Sequence, residues 1–186
     1  MPDSIDGGDH GAGRKRSAGA APPANDSSLS MTLDSIREVT FVDVGDERGR
    51  LTAIEGGVHV PFHIARVFYV HRVADGVPRG GHAHTDTDQV VTAASGHLTL
   101  AVSDGVDWRR FDLDDPARGV YVPRMLWVDL LDFSDGAVCL VFASTVYDQS
   151  KSLRTWEDFL AAVCLPVDTP RWPAFAGERR ADEPCE

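Results

Sequence analysis

From residue 39 to residue 143, short runs of apolar and β-branched residues alternate with clusters of glycine, proline and aspartate. Runs of this kind, with turn signals such as Ser-Asp-Gly between them, predict β-strands joined by tight turns. The predicted strands cover residues 39–44, 50–54, 64–70, 89–93, 97–102, 108–113, 119–122, 127–131 and 138–143. This succession favours an all-β fold, an antiparallel barrel or sandwich, over a helical or α/β fold.

A helical period follows the last predicted strand. Apolar side chains between residues 152 and 163 are spaced to form one face of a C-terminal helix: Leu153, Trp156, Phe159, Leu160 and Val163. The rest of the chain frames one domain over residues 34–165. Residues 1–33 are expected to be a disordered tail, because their composition cannot bury enough apolar surface, and residues 166–186 a loose C-terminal tail.

The amino-acid composition limits the classes of partner that the protein can bind and indicates its cellular compartment. A formal net charge of −11 over 186 residues opposes binding to nucleic acid or to an anionic membrane, since both require a basic face. No apolar window approaches the roughly 18 residues of a membrane span, and the N-terminal segment lacks a secretory signal pattern. Three cysteines without CxxC spacing favour a reduced, cytoplasmic protein, with Cys139 as core packing.

Two histidines one residue apart, His82 and His84, give the strongest chemical signal. In a β-strand the side chains at i and i+2 point to the same face, so both imidazoles are expected to converge on one point. Such a pair is either half of a metal site or an acid–base pair. A catalytic metal site usually takes three protein ligands, so the remaining sequence has to decide between the two.

The spacing around the pair resembles the first motif of the cupin superfamily: Gly76 lies six residues before His82, Gln89 five residues after His84, and Gly96 seven residues after Gln89. The resemblance implies a cupin-type antiparallel β-barrel (jelly roll) with the predicted helix at its C-terminus. Metal-binding cupins carry a carboxylate at the position of Gln89 and take a third histidine from a later motif. The corresponding residues 119–128 contain no histidine, so we expect neither a metal nor a cofactor.

A closer resemblance is to the nucleotide-sugar 3,4-ketoisomerases, carried by residues 48–51, 61–69, 79–84, 119–123, 132–134, 147–148 and 156–160. The run Arg-Gly-Gly-His-Ala-His and the later Asp-Phe-Ser are the most specific of these. The resemblance implies an isomerase that moves the keto group of TDP-4-keto-6-deoxyglucose between carbons 4 and 3 through an enediol, in the biosynthesis of an unusual deoxysugar. It further implies a TDP-sugar ligand, no cofactor and a homodimer.

That reaction needs two proton relays, one for the carbon-bound proton and one for the oxygens. Histidine suits both, because its pKa near 6.5 lets it take and return a proton near neutral pH. We assign one relay to each of His82 and His84, and the sequence leaves open which histidine serves which. Tyr69 and Gln89, predicted on strands beside the pair, are candidates to hydrogen-bond the developing oxyanion or to orient an imidazole.

The remaining binding residues are candidates for contacts to the nucleotide and the sugar. The resemblance assigns Arg66 and Arg79 to the pyrophosphate, which matches the planar donor fork of arginine. Trp127 and Tyr147 are expected to line or stack on the sugar or the base. Two other functions stay open: an epimerase acting on the same substrate, and a sugar-nucleotide-binding cupin without turnover. The configuration of the product at carbon 4 also stays open.

We predict that turnover does not depend on a metal ion, because the sequence supplies two converging histidines and Gln89 in place of a carboxylate. Activity should survive prolonged treatment with EDTA, and the purified protein should carry no stoichiometric metal by elemental analysis. Loss of turnover that one added divalent ion restores would contradict this prediction.

Overall fold

A computed structural model describes residues 32–171. These residues form twelve β-strands, one α-helix and two short 3-10 helices at Leu33–Ser35 and Gln149–Lys151. In chain order the elements are β1 (Arg37–Thr40), β2 (Val42–Asp46), β3 (Gly49–Ala53), β4 (Arg66–His71), β5 (Arg79–His84), β6 (Gln89–Ser95), β7 (Leu98–Ser103), β8 (Trp108–Leu113), β9 (Arg118–Val122), β10 (Trp127–Leu131), β11 (Val138–Ala143), β12 (Ser152–Leu153) and α1 (Trp156–Ala162).

Ten of the strands form two five-stranded sheets. The first has the order β1-β9-β6-β11-β4 and the second the order β12-β5-β10-β7-β8, while β2 and β3 form a separate hairpin. Neighbouring strands pair antiparallel throughout both sheets. The predicted all-β, cupin-type antiparallel barrel with a C-terminal helix is therefore confirmed.

The main core lies between the two sheets and is filled by alternate residues from both. Val91 and Val141 contribute from the first sheet, and Leu100, Val102 and Val128 from the second. Burial of each such side chain stabilises the fold by about 1.5–3 kcal/mol relative to exposure. Because alternate residues of a strand face opposite sides, this core also identifies the inward face of every strand that contributes to it.

Cys139 is fully buried in this core. Burial raises the pKa of its thiol to about 12, so the thiolate is disfavoured and the side chain acts as a small apolar residue. This agrees with its interpretation from the sequence.

The strand predictions succeed where apolar alternation is strong, as for β8, β10 and β11, whose bounds agree with the structure. β5 is absent from the predicted strands, since Gly80 and Gly81 interrupt its pattern. The helix was predicted to begin too early. Ser152 and Leu153 pair with β5 instead, and the helix begins at Trp156, where the hydroxyl of Thr155 accepts a hydrogen bond from the backbone of Asp158 at 3.1 Å.

The domain extends beyond both predicted boundaries. Leu33, assigned to the disordered tail, is buried in the main core, and its carbonyl accepts a hydrogen bond from Arg109 at 3.0 Å. Residues 166–171, assigned to a loose tail, pack against the domain through Thr169, whose carbonyl accepts from the Trp156 indole at 2.9 Å. Residues 1–31 and 172–186 lie outside the described residues. No helix within residues 32–171 is long and apolar enough to cross a membrane.

Replacement of Leu33 by alanine should lower the free energy of unfolding by about 2–5 kcal/mol, the usual cost of truncating a buried leucine. Urea denaturation measures the change. Val106→Ala is the matched control, because Val106 is 65% exposed and its truncation removes little buried surface. Equal stability of the two variants would show that Leu33 does not belong to the core.

Candidate active site

The two histidines of β5 point into the barrel. His82 lies opposite Val128 of β10, which in turn lies opposite Val102 of β7. Both valines belong to the main core, and residues opposite each other in antiparallel strands share a face. His84, two residues further along, faces the same side and is more deeply buried than His82. The predicted convergence of the two imidazoles is what the structure shows.

The rings of this histidine pair are in direct contact. Their Nε2 atoms are 3.2 Å apart, and the ring planes stand almost perpendicular, at 86°. On the outer side of the pair, Nδ1 of His82 lies 2.9 Å from the carbonyl oxygen of Gly80. On the other side, Nδ1 of His84 lies 3.3 Å from the hydroxyl of Ser152. Each ring nitrogen therefore has a hydrogen-bond partner.

These partners fix the proton positions of the neutral pair. A carbonyl oxygen only accepts, so Nδ1 of His82 carries a proton, and in a neutral ring its Nε2 is then the acceptor. Nε2 of His84 must donate to it, which leaves Nδ1 of His84 to accept from the hydroxyl of Ser152. Because a hydroxyl can donate or accept, His84 can change tautomer and keep this contact.

Burial keeps His84 neutral. The pKa of its imidazole is lowered from 6.5 to about 4, first by desolvation and then by the charges of His82 and Arg66; Asp86 opposes this shift, and Arg154 lowers the pKa further by the smallest amount. At neutral pH His84 is therefore an unprotonated base.

Arg66 faces the pair from the first sheet. It lies in one row with Ala143 and Gln89, which pair across β4, β11 and β6. Its guanidinium carbon is 5.1 Å from the ring centre of Phe68 and 5.2 Å from that of Tyr147. The Nε atom of Arg66 is buried and has no hydrogen-bond partner among the described residues. A buried donor without a partner indicates a site for an acceptor from outside the chain.

Two further predicted residues complete this end of the barrel. Gln89 is buried at the start of β6, in the row of Arg66. Tyr147 is largely exposed, and its hydroxyl accepts a hydrogen bond from Arg154 at 3.5 Å. The structure thus brings together the histidine pair, Arg66, Gln89 and Tyr147.

Three predicted binding residues do not join them. Tyr69 is 62% exposed on the outward face of β4, because it alternates with the inward Phe68. Trp127 lies opposite Ala83 on the outer face of the second sheet, packed beneath α1. Arg79 is exposed at the start of β5, and the described residues give it no contact to the pair.

Phe68, Ser152 and Arg154 are site residues that the sequence interpretation missed. Phe68 supports the guanidinium of Arg66, and its signal was the strand period, one position away from Tyr69. Ser152 and Arg154 fall in the predicted helix. Only the pairing of β12 with β5 places Ser152 beside His84, and this long-range contact leaves no local signal.

Within residues 32–171, no cluster of three or more His, Cys, Asp and Glu side chains is arranged to hold a metal ion. The histidine pair alone offers two ligands, fewer than a catalytic metal site usually takes. Independence from metal stays a prediction, to be tested with EDTA.

A jelly-roll barrel with paired imidazoles and a partly buried arginine at one end defines a cupin-type protein with a polar site between its sheets. The sequence matches the family described as FdtA: WxcM-like, C-terminal, over residues 34–164. The protein belongs to this family, as its motifs predicted.

The chain is similar to proteins that are named as sugar 3,4-oxoisomerases or 3,4-ketoisomerases. The chain is 36% identical over 121 residues to the TDP-4-oxo-6-deoxy-α-D-glucose-3,4-oxoisomerase of Aneurinibacillus thermoaerophilus, covering 65% of this chain and 87% of that protein. It is 31% identical to the sugar 3,4-ketoisomerase QdtA of Thermoanaerobacterium thermosaccharolyticum, solved with TDP, with a TM-score of 0.69 over 72% of this chain and 97% of QdtA.

A mutant of QdtA, solved with TDP-4-keto-6-deoxyglucose, matches with 30% identity and a TM-score of 0.69 over 71% of this chain and 96% of that one. A 3'-monoepimerase of Streptomyces bikiniensis matches at 19% identity, with a TM-score of 0.57 over 63% of this chain and 67% of its own. That likeness shows the fold alone.

The lowered pKa of His84 makes stability depend on pH. Between pH 6.5 and about 4 the unfolded chain binds a proton at His84 that the folded protein does not, so stability must fall as the pH falls through this window. His84→Asn should show a shallower decrease than the wild type, measured by urea denaturation across the window. His63→Asn, in the loop before β4, should keep the wild-type slope. Parallel curves for wild type and His84→Asn would contradict the assignment.

Proposed function

We propose that the protein is a cofactor-independent TDP-4-keto-6-deoxyglucose 3,4-ketoisomerase. The observation that carries this proposal is the histidine pair, with its Nε2 atoms 3.2 Å apart inside the barrel and the unpartnered Nε of Arg66 facing it. Relatives with 36% and 31% identity carry this activity in their names, and their matches span most of the folded domain.

The reaction only redistributes protons. One proton leaves carbon 3 and one is delivered to carbon 4, while another moves from the oxygen on carbon 3 to the oxygen on carbon 4. The histidine pair matches this requirement, because its two rings share a hydrogen bond and each has a partner on its far side. A proton taken by one ring can be balanced by a shift at the other without movement of either ring.

The intermediate is an enediolate, whose negative charge needs stabilisation. Arg66 supplies a positive charge at the buried end of the site, and the amide of Gln89 supplies neutral donors in the same row. Donors fixed in a water-poor site stabilise a developing oxyanion more strongly than they would in water. Arg154 adds a second positive charge near His84 and donates a hydrogen bond to the hydroxyl of Tyr147.

We further propose that the protein binds its TDP-sugar as a cytoplasmic homodimer. The outer face of β4 supports a dimer, because Val67 and Tyr69 are both more than half exposed there. Large apolar side chains side by side on a sheet surface are typical of contacts between subunits.

Deuterium labelling of His82→Asn and His84→Asn tests the mechanism. Incubation of the wild type with TDP-4-keto-6-deoxyglucose in deuterated water should give a 3-keto sugar labelled at carbon 4, read by NMR. Both variants should lose turnover by roughly 100-fold to 10,000-fold, the usual cost of a missing general base. The variant without the carbon base should also stop exchange at carbon 3, whereas the variant without the oxygen relay should still exchange it slowly.

His63→Asn is the control, since it removes an exposed imidazole from the loop before β4, away from the histidine pair. Near-wild-type turnover in both site variants would contradict the mechanism. Label at carbon 3 or 5 with inversion and no shift of the keto group would identify an epimerase. Tight binding of the TDP-sugar with no label in it would identify a binding protein.

A further inference from the structure

A buried carboxylate lies behind the histidine pair, on the outer face of the second sheet. Asp129 of β10 has a side chain only 3% exposed. Its Oδ2 accepts a hydrogen bond from the Trp127 indole at 3.1 Å, its Oδ1 accepts from Arg171 at 3.0 Å, and the backbone N–H of Gly81 also donates to this carboxylate. The three donors compensate the burial of this carboxylate, because an unpaired charge there would be strongly destabilising.

The contact to Gly81 connects Asp129 to the active site. Gly81 is the extra residue of a β-bulge in β5: His82 lies opposite Val128, and Gly80 lies opposite Asp129, which leaves Gly81 without an opposing residue. Its N–H therefore takes the side chain of Asp129 as its acceptor.

The bulge in turn holds His82. Gly80 and Gly81 have φ angles of +81° and +68°, in the left-handed region that favours glycine. A Cβ atom on Gly80 would lie 2.7 Å from the carbonyl oxygen of Val128. This conformation directs the Gly80 carbonyl to Nδ1 of His82, at 2.9 Å. The tautomer of His82 thus depends on the bulge, and the bulge on Asp129.

The cation that neutralises Asp129 comes from residues 165–171, which we call the C-terminal strap. After α1 the strap returns to the barrel, fastened by the hydrogen bond from Trp156 to Thr169. It ends on Arg171, whose guanidinium carbon lies 5.0 Å from the ring centre of Trp127. The family match ends at residue 164, so the strap lies outside the matched residues.

We propose that Arg171 is a positioning residue for His82, acting through Asp129 and the Gly80–Gly81 bulge. Burial raises the pKa of the Asp129 carboxyl, and Arg171 opposes that increase. With Arg171 in place, the carboxylate stays ionised and keeps a charge-assisted hydrogen bond to Gly81. Without Arg171, Asp129 takes up a proton or turns toward solvent, and the Gly80 carbonyl loses its fixed direction. This proposal rests on the proposed function for its kinetic consequence only.

The test compares Arg171→Met, Asp129→Asn and the double variant in the full chain. Arg171→Met should lower kcat about tenfold with KM changed less than about twofold, since small displacements of a reacting group cost up to roughly 100-fold in rate. The double variant should be more active than Arg171→Met alone, because the amide oxygen at position 129 can accept from Gly81 without a cation. It should also be less stable than the wild type, because the amide nitrogen then faces the N–H of the Trp127 indole, which donates to Asp129 in the wild type. Arg118→Met, an exposed arginine paired with Asp114, is the matched control and should behave as the wild type.

A second measurement does not depend on turnover. In protein labelled with ¹⁵N-histidine, the His82 signals of the wild type should report a proton fixed on Nδ1, and Arg171→Met should shift them toward a mixture of tautomers. Loss of thermal stability in Arg171→Met with kcat and the imidazole signals unchanged would overturn the proposal. If the wild type proves to have no isomerase activity, the proposed function fails and the imidazole signals alone decide the role of the strap.

Discussion

The hydrogen bond between Nδ1 of His82 and the carbonyl of Gly80 determines the chemistry available at this site. A carbonyl cannot donate, so this single contact fixes which nitrogen of His82 is protonated and hence the direction of the next hydrogen bond, from His84. The contact exists only because two consecutive glycines leave the regular strand geometry beside Val128. A local departure from β-structure therefore sets the proton order of the whole pair.

The barrel provides the second condition, which is a dry environment for His84. Valine and leucine side chains from both sheets fill the interior below the histidines, and the resulting desolvation lowers the pKa of His84 more than any nearby charge does. The positive charge of Arg66 acts in the same direction. A proton in this site is consequently costly to hold, so a substrate that offers an acceptor can recover it readily. Reversible proton transfer needs this balance.

The sequence predicted the fold and the centre of the site, but not the side chains around it. Strong alternation located strands such as β10, and the His-x-His spacing placed both imidazoles on one face. The prediction for Tyr69 was wrong by one strand position, because alternation does not say which of two adjacent aromatic residues faces inward. Trp127 was misplaced because its neighbour Val128 takes the inward position of β10. Ser152 and Arg171 reach the site or its support only through pairing and packing between segments distant in sequence, which no local pattern encodes.

Strand β4 carries two surfaces on one backbone. Arg66 and Phe68 face the pocket, while Val67 and Tyr69 face outward, and consecutive residues are only about 3.3 Å apart along a strand. A partner that binds the outer surface of β4 therefore contacts the same stretch of backbone that positions Arg66. A substitution in β4 that alters the outer surface can therefore also alter the position of the arginine. For this reason we expect the six residues of β4 to change together in evolution.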